Sequence, residues 1–371
     1  MRFGILSRWL SPYVGGIVDH SVNLADDLRA HGHEVVLIGS LGNAAEGTRI
    51  VADDWSPAAL ERLRSGLESM QLDHLVMQYT PLMYAQGSWR TAGALVRFWQ
   101  ALGSAMTPSL IVHETYFRTW RRPQSLLRGT GEKRALKAMC RVSDHVFTAS
   151  GPLLEEMAGW GLKRPAVMLP ISSNIPVAEA DIGEVRARHG IAPGTLVLTL
   201  FGGGNNLKWM LDHVVVLERR LQVERIPHAW LLLGGVPKSW LSSSAAVLDP
   251  GCLSQPDLSE NLQMTDIFLM PNWSGVNAKR GTLMAALEHG LPVIGTRGHM
   301  TDAFWREAEG VILVEKKSVA GFVDAVLTLA RDRQMRDWCG HLNKGYFRDR
   351  FTRAELMRCF LGAVQGSETA R

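Results

Sequence analysis

The stretch TLVLTLFGGGNNLK, Thr195–Lys208, decides the architecture. Thr195–Gly202 is an apolar run short enough for a buried strand, glycines close it, and a helical pattern opens at Lys208 and runs to Leu221. A buried strand, a glycine turn and a helix in that order make the first step of a parallel α/β layer, because the helix carries the chain back along the sheet face. The runs His228–Gly235, Asp266–Pro271, Leu291–Thr296 and Val311–Glu315 continue the series, with helices opening near Gly281 and Ser318.

Upstream the same rhythm runs back to the first residues. Strands are predicted at Arg2–Leu6, Glu34–Gly39, His74–Thr80, Ser109–Thr115, His145–Ser150 and Ala166–Ile171. A helix from Ile17 to Ala30 carries Val18, Val22, Leu24, Ala25 and Leu28 at near-helical spacing and stops at His31-Gly32. Such alternation argues for parallel sheets covered on both faces. Ser172–Pro193 breaks it with Ser172, Ser173, Asn174 and Pro176 and reads as a connection holding at most one short helix. The tail, about Thr352 to Ala363, reads as an amphipathic helix. The expected layout is an N-terminal domain over 1–172, a linker over 173–193, a C-terminal domain over 194–350 and a final helical segment over 351–371. Two α/β domains facing each other make a cleft, the usual place for a ligand.

The 371 residues are 46% hydrophobic and 20% charged, proportions of a globular chain and not of a disordered, collagenous or coiled-coil one. Lysine and arginine number 40 against 36 acidic residues, a net charge of +4. The basic residues form only short runs such as Arg118–Arg122, so no nucleic-acid partner is expected. Cys140, Cys252, Cys339 and Cys359 lack CxxC spacing and suitably placed histidines; they read as small buried hydrophobes in a reducing compartment, with no metal site. Met1–Leu10 is interrupted by Arg2 and Arg8, unlike a signal peptide, and no apolar window of about 18 residues is present. A cytoplasmic protein is expected. The 12 tryptophans leave room for peripheral contact with the inner face of a membrane.

Three places have the composition of an anion site. Gly15-Gly16 lies between the first strand and the first helix, where backbone amides and the helix dipole favour an anion; a loop that only needs positive φ would use the same pair. Gly203, Asn205 and Lys208 follow the strand of the second half, with a lysine where the dipole of a helix start disfavours it. It is not a Walker A loop, since GxxxxGK[ST] does not match. Gly281, Thr282 and Leu283 open the next helix of interest beside Lys279 and Arg280, and free helix-start amides there would hold a phosphate. Asp53-Asp54 is not a metal-binding DxD. Trp120-Arg121-Arg122-Pro123 reads as a solvated loop or as a place for an acidic acceptor or anionic surface.

Gly15-Gly16 followed by Val22–Leu28 and Gly32-His33-Glu34-Val35, then Ser143–Ser150, Thr265–Pro271 and Ala286–Val293, keep one order over nearly the whole chain. This set resembles the retaining GT-B glycosyltransferases of glycosyltransferase family 4. The resemblance implies two Rossmann-like domains facing across a cleft, a donor held mainly by the C-terminal one, a final helix crossing back, and no metal in the site. Two departures stand out. The family's Arg-x4–5-Lys pair keeps Lys208 but has Gly203 at the arginine, and its E-x7-E motif falls on Asn277 and Ala285. Arg280 is placed to supply the missing cation, while the amides of Gly281–Leu283 survive any side-chain change. His113, beside Glu114 at a strand end, matches the family's histidine near the donor sugar; without the match it would read as a structural histidine.

The expected activity is transfer of a sugar from a nucleoside diphosphate sugar, UDP- or GDP-linked, to the hydroxyl of a sugar, lipid-linked or small-molecule acceptor, with retention. Polysaccharide, lipopolysaccharide or glycosylated-metabolite assembly is the implied setting, and no cofactor is needed. Lys208 and His113 are the catalytic candidates, with donor contacts from Gly15, Gly16, Gly203, Asn205, Arg280, Gly281, Thr282 and Leu283. A non-catalytic nucleotide- or sugar-binding protein, and a nucleotide-sugar hydrolase or epimerase, are the alternatives on the same scaffold.

Overall fold

The computed structural model describes residues 1–10, 13, 15–40, 48–52, 55–81, 83–84, 89–103, 105–115, 123–203, 208–242 and 244–366. The chain divides into two units, one of Met1–Pro170 joined by the chain from Leu356 on, the other Ile171–Glu355.

The first unit is a seven-stranded parallel sheet in the order β3-β2-β1-β4-β5-β6-β7. Its strands are β1 Arg2–Leu6, β2 Glu34–Ser40, β3 Thr48–Ala52, β4 His74–Tyr79, β5 Thr107–Val112, β6 His145–Thr148 and β7 Val167–Met168. The helices between them are α1 Gly16–Ala30, α2 Pro57–Ser69, α3 Trp89–Leu102, α4 Pro123–Val142 and α5 Gly151–Ala158. Helix α1 forms because Val18, Ser21, Leu24, Ala25 and Leu28 fall on one stripe and are buried together. That stripe meets Phe3, Ile5, Leu37, Val76 and Ile111 from the sheet. The last helix of the chain, Arg353–Gln365, adds Met357, Phe360 and Val364 to the same core. Phe360 lies 6.2 Å from Phe3 and 5.0 Å from Phe147, ring centre to ring centre. Burying such a ring contributes about 1.5–3 kcal/mol.

The second unit is a six-stranded parallel sheet in the order β10-β9-β8-β11-β12-β13. Its strands are β8 Leu196–Phe201, β9 His228–Leu233, β10 Val247–Leu248, β11 Ile267–Met270, β12 Val293–Arg297 and β13 Val311–Glu315. Its helices are α6 Ile182–Arg188, α7 Leu211–Val223, α8 Gln255–Gln263, α9 Gly281–Glu288, α10 Val319–Arg331 and α11 Arg333–Arg350; α12 is the last helix just described. Leu198 and Leu200 of β8, Val214, Leu217 and Leu221 of α7, and Phe322, Val323 and Val326 of α10 share one core. In both sheets the order reverses beside the first strand, so each has a switch point at the carboxyl ends of its central strands, where ligands of such folds bind.

Residues 173–193, expected as a linker, count with the second unit. Hydrogen bonds hold them there: the Ala178 amide donates to Ser259 Oγ at 2.8 Å, and Gln263 Nε2 donates to the Ala178 carbonyl at 2.8 Å. Arg186 of α6 pairs with Asp266 at 3.2 Å. Strands β3 and β10 and helix α11 lie where no element is expected from the sequence. β10 has two residues, and β3 is an edge strand whose partner is supplied by the backbone of β2. Helix α11 buries only Cys339, Gly340, Asn343 and Phe347 among many charged residues, too narrow a stripe to announce a helix. The cysteines depart from expectation in part: Cys140 and Cys339 are buried, but Cys359 is half-buried and Cys252, in the loop before α8, is exposed. No helix among the described residues is long and apolar enough to cross a membrane.

Candidate functional site

In the second unit, two loops lie at the carboxyl ends of the paired strands β8 and β11. After β8 come Gly202 and Gly203; a Cβ at Gly203 would meet nothing within 4 Å. Asn205 lies outside the described residues. Lys208 opens a single 3-10 turn, Lys208–Met210, leading into α7, and is exposed. The lysine therefore precedes the helix proper, whose own first turn carries Asp212.

The loop after β11 is held by a run of hydrogen bonds. Asn272 is fixed by Thr296, whose Oγ1 accepts from the Asn272 amide at 2.8 Å and donates to its carbonyl at 2.6 Å. Asn272 Oδ1 accepts from the amide and hydroxyl of Ser274 at 3.0 and 2.7 Å. Arg280 Nη2 then donates to Ser274 Oγ at 2.9 Å. Farther on, buried Asp302 accepts from the Ala278 amide at 2.6 Å and from Trp305 Nε1 at 3.1 Å. Gly275 takes φ of 94°, and a Cβ there would run into Thr301 Oγ1 and the Gly298 backbone. A residue with a side chain cannot follow this path.

The loop ends on Arg280, which occupies the N-cap of α9 with no side-chain cap. The amides of Gly281 and Thr282 have no partner among the described residues, whereas Leu283 N–H donates to the Arg280 carbonyl at 3.0 Å. The expected trio of anion-binding amides is thus a pair, because the first turn of α9 is tight enough to occupy the third. A cation and two free amides at a helix start are chemically suited to phosphate oxygens. Ala285 is wholly buried in α9, and buried Asn277 leaves its Oδ1 without a partner. No group of three or more His, Cys, Asp or Glu placed to hold a metal ion occurs among the described residues.

In the first unit, Gly15 caps α1 with φ of 156° and ψ of 164°, a glycine-only conformation. Neither Gly15 nor Gly16 would place a Cβ within 4 Å of another atom among the described residues. His113 follows β5 and extends its ladder, its amide donating to the Tyr79 carbonyl at 2.9 Å. Its Nε2 lies 2.7 Å from Gln78 Oε1. Gln78, fully buried near the end of β4, places its Nε2 3.1 Å from Nδ1 of His20 in the second turn of α1. The two imidazoles stand edge to face with centres 5.3 Å apart. Burial pushes the His20 pKa down to about 4, which keeps that ring neutral at pH 7. The structure thus joins His113 to Gln78 and His20, neither visible as a site residue in the sequence: Gln78 sits inside an apolar run and His20 on the polar flank of a helix stripe. Asp53, Asp54 and residues 116–122 lie outside the described residues.

Residues 196–332 match the family model described as Glycosyl transferases group 1, a stretch wholly within the second unit. No curated protein matches the chain. Among solved structures, the Anabaena protein HepE in complex with UDP and glucose superposes with a TM-score of 0.71 at 12% identity, covering 99% of this chain and 100% of that one. An α,α-trehalose 6-phosphate synthase from Burkholderia multivorans gives 0.68 at 11% identity, covering 100% and 97%. The sucrose-phosphate synthase from Thermosynechococcus elongatus gives 0.66 at 13% identity, covering 100% and 98%. At these identities the likeness shows the fold, the two-domain α/β GT-B arrangement.

Proposed function

We propose that the chain is a glycosyltransferase that moves a sugar from a nucleoside diphosphate sugar to an acceptor hydroxyl. The observation that carries this reading is the start of α9: Arg280, braced through Ser274 and Asn272, beside the free amides of Gly281 and Thr282, inside the stretch that matches the glycosyl transferases group 1 model. In this chemistry the leaving group is a diphosphate, so catalysis consists largely of stabilising the charge that develops on its oxygens. Arg280, Lys208 and the two amides take that part, and Gly203 leaves the backbone accessible beside them. The glucose and UDP held by HepE favour a UDP-sugar over a GDP-sugar. His113 is the catalytic candidate of the first unit, and Gly15 and Gly16, where α1 begins, are the donor contacts proposed there. Membership of family 4, retention of configuration, an acceptor that is a sugar, a lipid-linked sugar or a small molecule, a role in polysaccharide or related assembly, and a cytoplasmic place with peripheral membrane contact complete the proposal.

A thermal-shift screen of UDP-, GDP-, ADP- and dTDP-sugars and the free diphosphates tests it. A ligand at 100 times its dissociation constant adds about 2.7 kcal/mol. The expected result is a shift with one nucleotide series, lost in Arg280→Ala, together with diphosphate release that needs an acceptor. The replacement of both motif carboxylates by Asn277 and Ala285 favours a second reading, a binding protein without transfer. Nucleotide binding with no acceptor-dependent release would decide for that one, and acceptor-independent release for a hydrolase.

A further inference from the structure

We propose that the second unit carries a further binding site, a cavity at the C-terminal end of α9 that takes a small hydroxylated anion of the sugar phosphate class.

The cavity measures about 420 Å³, within the range of pockets that take small ligands. One wall is Glu288, the last residue of α9, whose Oε2 is buried without a hydrogen-bond partner among the described residues. Burial raises the pKa of this carboxyl, although a hydrogen bond with Ser173 opposes the rise. A buried carboxylate oxygen left unpaired is costly, so the site is complete only when something donates to it. The facing wall is α11, from which His341, Lys344 and Arg348 line the cavity. Steps of three and then four residues put them on one helix face. Neither His341 nor Lys344 has a hydrogen bond or ion pair among the described residues. Arg348 donates from Nε to Asp349 at 2.8 Å, which leaves its terminal nitrogens for a ligand.

These walls select the ligand. The basic face calls for a negative group, and a phosphate accepts from several donors at once. Glu288 calls for a donor, which a hydroxyl supplies. An ammonium would also donate, but the basic face repels it. Val177 and Phe347 add apolar surface for the CH groups of a sugar ring. Gly345, which also lines the cavity, is an independent sign. It stands inside α11, where glycine weakens a helix, and a Cβ there would meet nothing within 4 Å among the described residues. No packing contact requires the glycine; room in the cavity does. The site lies at the far end of α9 from Arg280, on the order of 10 Å along a helix of eight residues. An anion here and a nucleotide at the helix start therefore do not compete.

The test is isothermal titration calorimetry of the full chain with the 6-phosphates of glucose, mannose and galactose, beside inorganic phosphate and the free hexoses. At least one hexose phosphate is expected to bind saturably, and more tightly than phosphate or the free sugar. Lys344→Glu and Gly345→Leu are expected to weaken it about tenfold or more, by reversing one charged contact and by filling the space. Gly345→Leu puts a helix former where glycine stood, so thermal unfolding should stay at or above that of the unsubstituted protein. Glu288→Ala should bring the hexose phosphate down to the affinity of inorganic phosphate. Arg280→Ala should leave it unchanged, so failure of this site and failure of the transferase reading are told apart. A free sugar phosphate and the headgroup of an inositol lipid share this chemistry. Cosedimentation with phosphatidylcholine vesicles, with and without phosphatidylinositol, reads the second source, with the same dependence on Lys344 and Gly345. Absence of binding in both arms overturns the proposal. So does binding that Lys344→Glu and Gly345→Leu leave intact, or that Arg280→Ala abolishes.

Discussion

Each unit holds a hydrogen-bonded histidine cluster at one end of its sheet, and the two stand at opposite strand ends. In the first unit His20, Gln78 and His113 meet at the carboxyl ends of β4 and β5. In the second, Glu218 of α7 accepts from Nε2 of His228, the first residue of β9, at 2.9 Å and from Trp230 Nε1 at 2.6 Å, while Gln222 and Ser242 serve its other oxygen. His228 Nδ1 completes its valence on the Ile226 carbonyl at 2.8 Å. Ligands of doubly wound sheets bind at the carboxyl ends. By position alone, the proposed function draws on the first cluster, and the second serves stability.

Their chemistry separates in the same way. Burial alone would lower the His228 pKa, but its bonds to Glu218 and Ile226 outweigh it and raise it above the ordinary value. Burial likewise would raise Glu218, and the donors from His228 and Trp230 bring it below the ordinary carboxylate value. Each partner thus favours the charged form of the other, and the hydrogen bonds of the pair are saturated. His20 goes the other way, a neutral ring against a neutral amide.

The largest expected effect breaks the stability side of the comparison. Glu218→Ala leaves His228 and the fully buried Trp230 without their acceptor. Removing one member of a buried pair costs about 3–5 kcal/mol, read as a fall in unfolding free energy by urea titration. Nucleotide-induced stabilisation should persist in whatever fraction stays folded. Loss of binding with unchanged stability would reverse the assignment of the two clusters.

Next in size is Arg280→Ala. Removing one preorganised donor from a developing charge costs about 10²–10³ in turnover, while the lost hydrogen bond to Ser274 lowers unfolding free energy by only about 1 kcal/mol. Gly275→Ala should follow, since it strains the loop that delivers Arg280 by on the order of 1–3 kcal/mol. It is expected to lower turnover and stability together, where Arg280→Ala lowers turnover far more than stability. Steady-state kinetics beside urea titration separates the two.

How much of this the sequence shows follows from the kind of signal involved. Strands such as β1 and β13 are read to the residue because their apolar runs are bounded by sharp polar changes. The glycines and Arg280 are legible because few structures other than a turn and a helix start need them there. Gln78 and His20 are not, since their meaning comes from β1 and β4 pairing across 70 residues of sequence, which places α1 beside the end of β4. The same holds for Ser274 and Asn272, ordinary loop residues until Thr296 on the neighbouring strand fixes them. Local patterns name elements; partners across strands name the site.

The smallest effect sharpens the comparison through pH. A histidine whose folded pKa is depressed to about 4 binds its proton in the unfolded chain first, so His20 withdraws stability as pH falls from roughly 6.5 towards 4. His228, raised in the folded chain, does the opposite: its contribution is complete below roughly pH 6.5 and disappears as pH rises through its folded value. Glu218 adds a contribution present above roughly pH 4.5 and lost as pH falls through its lowered value. Of the two histidines, then, His20 tilts the stability curve between roughly pH 4 and 6.5, and His228 tilts it the other way above roughly pH 6.5. His20→Gln should flatten the acid side of the curve, by at most about 1.4 kcal/mol per pH unit, and His228→Gln should flatten the fall in stability above roughly pH 6.5. Urea titrations at half-unit pH steps measure both. Equal slopes in the two variants would mean that the clusters do not differ in charge state, and that their placement at opposite sheet ends carries no difference in chemistry.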